Sequence, residues 1–295
     1  MKNYDVVIIG NYTKDTIVSP AGRRLVDGGG FNYGAHVAAM MGLKTAAITR
    51  LSKNDIRVVE SLRETGVDPF PLYTEHSTEL ELYYPTSDVD QRILTVTHTA
   101  GSFTPDQVED FDAKLFLINT STRGEAGMDV IDVLKSKNTT IAADSQGFVR
   151  IISEDGTLVN DPWEDKRDVL PYIDVLKTDA VEAEILTGES DIRKASRLLA
   201  EWGPGEIVLT HRGGLLVLAG GHFHEAKFHP VELIGRSGRG DTCIAAYACK
   251  RLSAPPPEAT VWAAAVTSLK MEAEGPIRRN ISDVERLIQN KYLPD

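Results

Sequence analysis

"VELIGRSGRGDTCIAAYACKRL" occupies Val231–Leu252 and passes from bare backbone into a helix within a few residues. Gly235, Gly238 and Gly240 crowd with Arg236 and Arg239 ahead of Asp241, and behind Asp241 the chain becomes small and apolar. Glycine lets a backbone approach a ligand without side-chain clash. The first turn of a helix has amides with no intrahelical partner, and the helix dipole adds positive character there. Together these features make an anion site. Asp241 falls in that first turn, with its carboxylate directed at the same space. A carboxylate so placed can accept the proton of a hydroxyl attacking a phosphoryl group, a transfer governed by positioning and charge stabilisation. An aspartate there is also an ordinary helix cap, so "GRGD" alone decides little.

Outward from this stretch, strands alternate with helices. "DVVIIG" (Asp5–Gly10) is β-branched and reads as a buried strand, and "FNYGAHVAAMMG" (Phe31–Gly42) reads as a helix closed by Gly42. "KTAAITRL" is the next strand, and Asn54–Gly66 a helix with Asp55 near its start and Gly66 as its stop. "AKLFLINT", "TTIAAD" and "IDVLKTD" are further short strands, with the helical "GMDVIDVLKSK" among them. "DIRKASRLLAEWG" before "EIVLT" repeats the order, and "SAPPPEAT" (Ser253–Thr260) ends one helix and starts another. The pattern predicts an α/β fold whose central, mainly parallel sheet is covered by helices on both faces.

Two stretches break the alternation. Thr16–Asp27 and Thr78–Thr97 are strand-like without helices between, and "TELELYY" and "QRILTVTH" read as a hairpin across "PTSDVDQ". These lid strands, about 12–27 and 75–98 within a single 1–295 domain, predict a small β-sheet over the ligand crevice of the parallel strands.

The net charge of −11 over 295 residues argues against nucleic acid, which demands a basic stripe. Arg212, Arg236 and Arg239 nonetheless lie in or before glycine-bearing turns, and local positive charge in an acidic protein suits a small anionic ligand. No apolar run approaches a membrane span, and "MKNYDVVIIG" enters a strand with no leader pattern. Cys243 and Cys249 are too few for a disulfide framework or metal cluster and read as buried residues of a cytoplasmic protein. A P-loop pattern and the spaced glycines of a dinucleotide fingerprint are both missing from the sequence.

Taken jointly, the motifs resemble those of the ribokinase-like sugar kinases, the PfkB-type carbohydrate kinase family. "GRSGRGDTC" overlays that family's D-T-x-G-A-G-D-x-F signature, which implies Asp241 as catalytic base and Gly238, Arg239 and Gly240 as anion-hole residues. "GGGFNYGAHVAAMMG" follows the N-terminal signature, with Gly29, Gly30, Asn32 and Tyr33 on the substrate side, and Asp15 of "GNYTKD" falls where relatives bind two substrate hydroxyls. "KTDAVEAEILTGE" resembles the magnesium-organising N-x-x-E motif through Asp179 and Glu182. Lys177 of the same stretch, with Thr210, Arg212 and Gly213 of "VLTHRGG", falls on the nucleotide side. "DSQGFVR" stands where relatives often have D-P-N-x-R.

The resemblance implies an ATP-dependent, magnesium-assisted kinase that phosphorylates a hydroxyl of a small sugar or polyol, with room for a homodimer through the lid. A nucleoside kinase on the same scaffold and a catalytically silent sugar-binding or regulatory protein are the alternatives. Three departures stand out. Gly235 replaces the first signature aspartate, which in many relatives supports a monovalent cation; Asp179 replaces an asparagine; and Tyr33 rather than Asn32 falls on the substrate asparagine. An aromatic side chain there suits a six-membered ring polyol, a cyclitol or hexose, and "GGGFNY" resembles the inositol-kinase-like branch.

Overall fold

A computed structural model of the chain describes residues 1–86 and 92–293. In chain order its strands begin with β1 (Lys2–Ile9), β2 (Thr13–Ser19), β3 (Gly22–Gly28), β4 (Thr45–Ser52), β5 (Asp68–Thr74), β6 (Thr78–Tyr83) and β7 (Ile93–His98). They continue with β8 (Phe111–Ile118), β9 (Thr140–Asp144), β10 (Arg150–Ile152), β11 (Leu158–Asn160), β12 (Val175–Asp179), β13 (Glu206–His211), β14 (Gly214–Ala219) and β15 (His222–Lys227). Nine form one sheet in the order β15-β14-β13-β12-β9-β8-β1-β4-β5. From β13 to β5 every neighbouring pair is parallel.

A parallel sheet must be covered on both faces, and side chains alternate between the faces along each strand. Val6 and Ile8 of β1 join one buried cluster; Val7 and Ile9 join the other. The first face carries the helices Gly30–Met40, Arg239–Arg251 and Pro256–Met271, the second those at Met128–Lys135, Ala180–Thr187 and Ile192–Glu201. Thr242–Cys249 is buried all round, so both cysteines lie inside as expected. Small residues there allow a close helix pair: a Cβ on Gly34 would sit 3.6 Å from that of Ala245. Among the described residues no helix is long and apolar enough to cross a membrane.

The edges hold what periodicity did not announce. β14 extends the sheet antiparallel to β13, and β15 antiparallel to β14, the last two joined by Gly220 and Gly221 at φ 56° and 79°. Consecutive positive φ angles are those of a tight hairpin turn whose twist matches its strands. At the other edge β5 carries Pro69 and Pro71, tolerated where one side of the strand makes no ladder. The helix expected from Asn54 begins at Ile56, after a short 3-10 turn at Lys53–Asp55. Asp55 does not cap that helix; it is buried, accepts a 2.6 Å bond from the Ser77 hydroxyl and pairs with Lys14.

The smaller sheet is present, in the order β3-β2-β6-β7. β6 and β7 pair antiparallel as read from sequence, although the Ser87–Gln91 part of their turn lies outside the described residues. Ile17, Leu80, Leu82 and Val96 give this sheet its own apolar cluster. The β10–β11 hairpin braces it, the amide of Val96 donating to the Gly156 carbonyl at 2.8 Å. Arg57 on the main body clamps Asp27 at the end of β3, which also accepts from the Tyr12 hydroxyl.

Candidate functional site

Under the smaller sheet lies a cleft of about 460 Å³ whose walls include Asp15, Tyr33, Asp179, Thr210 and the Arg236–Asp241 loop. The helix Arg239–Arg251 begins on Gly238 at φ 75°, a left-handed conformation that favours glycine. A Cβ at Gly238 would also lie 2.4 Å from the Tyr33 ring. Tyr33 is therefore packed against the loop, with one ring face covered, rather than offering that face to a sugar.

One element of the expected anion hole differs. The amide of Arg239 donates to the Arg236 carbonyl at 3.2 Å, which removes it from the ligand. The Thr242 amide is likewise taken, by the Gly238 carbonyl at 2.9 Å. The first-turn amides left for an anion are those of Gly240 and Asp241. The Arg239 side chain compensates, for it lines the cleft, and burial and then Arg236 press its pKa down. A cation so held is stabilised by an incoming anion.

Asp241 reaches the cleft wall, and Gln146 Nε2 donates to its Oδ1 at 3.0 Å. Burial, offset only in part by Lys177 and Arg150, raises its carboxyl above the ordinary value. That shift makes it a better proton acceptor at neutral pH. Asp15 is 4% exposed; its Oδ2 takes a 3.4 Å bond from the Ser237 hydroxyl, and its buried Oδ1 has no hydrogen-bond partner. Burial lifts the Asp15 carboxyl to about 7. An orphaned buried acceptor on a cleft wall is a place for a ligand hydroxyl.

Beneath the glycine turn sits a network of opposed charges. Lys177 Nζ pairs with Asp144 at 3.0 Å, and a Cβ on Gly240 would come within 2.6 Å of that ammonium. Arg150 meets Glu182 Oε1 at 3.2 Å, while Glu182 Oε2 accepts from the Ser145 hydroxyl at 2.9 Å and the Asp179 amide at 3.1 Å. The Glu182 amide returns a 2.8 Å bond to Asp179 Oδ1, closing a capping box on the helix Ala180–Thr187. Burial raises the Glu182 carboxyl, but Lys177 and Arg150 outweigh it and hold it below its ordinary value.

A magnesium site on Asp179 and Glu182 together does not fit this arrangement. Both Glu182 oxygens are engaged by protein donors, and the residue is 1% exposed behind the cleft wall. Only Asp179 of the two faces the cleft.

The other expected residues divide similarly. Gly29, Gly30, Lys177, Thr210 and Arg212 line the cleft. Asn32 is not on its wall: the side-chain amide donates to the Asp27 carbonyl at 3.1 Å and ties the helix to β3. Gly213 is a turn residue between β13 and β14, its amide donating to His211 Nδ1 at 3.2 Å. Gln146 escaped the sequence reading, although it lies in "DSQGFVR", whose last residue is Arg150. So did Leu80, Leu82 and Leu94, which form an apolar roof from the smaller sheet.

Known proteins share this fold. A pyrophosphate-dependent kinase of the ribokinase family, solved with a pyrophosphate analogue and myo-inositol, superposes with a TM-score of 0.88 at 36% identity, over 95% of this chain and 99% of that one. A pyrophosphate-dependent myo-inositol-1 kinase, converted into a myo-inositol-3 kinase by two substitutions to leucine, matches with a TM-score of 0.88 and 36% identity over 98% of this chain and all of its own. The cytidine kinase of Thermococcus kodakarensis is 28% identical over 248 residues, 80% of this chain and 84% of its own. The pfkB family carbohydrate kinase profile matches residues 11–282. By that match, and by the same ribokinase-like fold, the chain belongs to the pfkB family of carbohydrate kinases.

Proposed function

We propose that this kinase transfers a phosphoryl group from pyrophosphate to a ring hydroxyl of a cyclitol, with myo-inositol as the acceptor. The observation that carries the donor is Arg239, a cleft-facing guanidinium that makes no hydrogen bond or ion pair among the described residues. The family resemblance by itself implies ATP. Adenine and ribose, however, supply binding energy that pyrophosphate lacks, so a pyrophosphate site must draw affinity from charge. Arg212, Arg236 and Arg239 lie together on the cleft wall with the helix N-terminus, which supports the smaller, more highly charged donor. The pyrophosphate-dependent relatives support it as well.

Asp15 Oδ1 accepts a bond from one acceptor hydroxyl, and the leucine roof covers the C–H face of the ring. Asp241 takes the proton of the attacking hydroxyl while Gln146 keeps its carboxylate oriented. The new P–O bond forms as the bond to the departing phosphate breaks. The amides of Gly240 and Asp241 and the Arg239 guanidinium neutralise the charge that develops. Were the donor to carry a magnesium ion, Asp179 is the carboxylate on the cleft wall that would face it, and the ion would neutralise donor charge.

The test is a matrix of kcat/KM values: pyrophosphate and ATP against myo-inositol, hexoses, ribose and cytidine, with chiral analysis of the product. Pyrophosphate with myo-inositol is expected to exceed every other pair by about tenfold, or 1.4 kcal/mol in transition-state binding. An equal margin for ATP overturns the donor. Preference for cytidine, the acceptor named for the archaeal relative, overturns the cyclitol.

A further inference from the structure

The helix Pro256–Met271 ends directly beneath the anion loop, and its penultimate residue buries an ammonium group. Lys270 is 1% exposed; its Nζ donates to the Gly235 carbonyl at 2.8 Å and to the Ser237 carbonyl. It also lies 5.3 Å from the centre of the Tyr33 ring. Glu274 and Asp241 act on it only through space, and burial lowers its pKa to about 8. A buried ammonium without a bonded carboxylate is costly, so its two carbonyl partners are its main compensation.

The loop is built to supply those carbonyls. The amides of Ile234 and Gly235 donate to the Met271 carbonyl at 2.9 and 3.0 Å, stitching the loop to the end of the same helix. Gly235 approaches so closely that a Cβ would stand 2.2 Å from the Ala273 carbonyl oxygen. With the loop backbone anchored on one side and its carbonyls drawn inward on the other, the chain enters the Gly238 turn in one fixed direction.

We propose that Lys270 is a positioning residue whose ammonium serves as a built-in cation, holding the carbonyls of Gly235 and Ser237 inward so that the next turn presents its amides to the donor phosphate. The proposal rests on the reading of that turn as the donor's anion site. It gives this kinase an internal charge where two inward carbonyls would otherwise face each other or a bound monovalent ion.

Lys270→Ala tests it. In the folded variant, kcat/KM for the donor is expected to fall about a hundredfold, the scale of an ångström-sized misplacement, with the acceptor KM little changed. Added n-propylammonium, which replaces the deleted atoms, should restore activity to the variant and leave the parent unaffected. A folded variant equal to the parent overturns the proposal, as does a loss that n-propylammonium does not relieve. Should the variant fail to fold, the parent still decides. Its rate and its pyrophosphate affinity by calorimetry should be the same in potassium, sodium and choline salts, and tenfold activation by potassium would sink the idea. A parent inactive with every donor and acceptor indicts the functional reading instead.

Discussion

At Asp241 a hydrogen bond from Gln146 fixes one carboxylate oxygen, and burial raises the group's proton affinity. Asparagine at this position keeps the oxygen that Gln146 binds and removes the proton acceptor. Asp241→Asn is therefore expected to lower kcat by about a hundredfold or more while the melting temperature stays close to the parent's. Near-normal turnover would show that the hydroxyl loses its proton elsewhere. Glu182 leads to the opposite expectation. Because it balances Arg150 and Lys177 inside the protein, Glu182→Gln should cost about 3 kcal/mol of stability, as when one partner of a buried pair is removed. Its effect on the magnesium concentration at half-maximal rate should be small. A variant that melts like the parent but needs more magnesium would return Glu182 to the metal. Aspartate and glutamate were visible in the sequence at the right spacing, but which of them faces the ligand was not. That depends on Arg150 and Ser145, more than thirty residues away in the chain.

The glycine turn and its helix form the element on which the site depends. Gly238→Ala places a methyl against the Tyr33 ring in a left-handed backbone that alanine resists. The turn must shift, and the amides that follow it shift too. The donor KM is expected to rise at least about tenfold with the acceptor KM nearly constant; equal effects on both would mean general loosening. This element was legible from sequence because its signal is local: glycines, then a carboxylate, then small residues. The alternating strands and helices and the β6–β7 pairing were legible for the same reason. The β14–β15 hairpin hid behind a run, "GLLVLAGGHFHEAK", that is apolar in its first half and polar in its second, as an edge suits. Strand β5 hid behind its prolines. Lys270 could not be read at all, since a lysine on a helix is nearly always solvated and its partners here are loop carbonyls.

Across the whole molecule, acidic residues outnumber basic ones, and several carboxylates are buried at a cost that pH can reveal, Asp144 and Asp241 of the site among them. Burial lifts Asp15 and Glu125 to about 7 each, from 3.8 and 4.5. Glu125 uses its bonds from Ser121 and Thr122 to hold a loop beside β8. Asp15 keeps an oxygen unpaired for a ligand. Both fold with pKa values above those of the unfolded chain, so between about pH 4 and 7 the native state binds more protons than the unfolded state. Stability is then fully present below the unfolded values and falls as pH rises through 7, levelling off above it. Carboxylates held below their ordinary values, such as Asp5 and Asp27, oppose this only at lower pH, and His36 and His211, which burial holds below the ordinary histidine value, oppose it only up to about pH 6.5. The ligand-free protein should thus melt at a lower temperature at pH 7.5 than at pH 5.5. Asp15→Asn removes one of these titrations, so its melting curve should lie above the parent's at pH 8 by on the order of a few degrees and converge with it near pH 4. On the proposed function the same variant should bind the acceptor poorly, because an amide offers one accepting oxygen, uncharged, where the carboxylate offers two. A melting profile for Asp15→Asn that parallels the parent's at every pH would show that Asp15 ionises in the cleft without penalty.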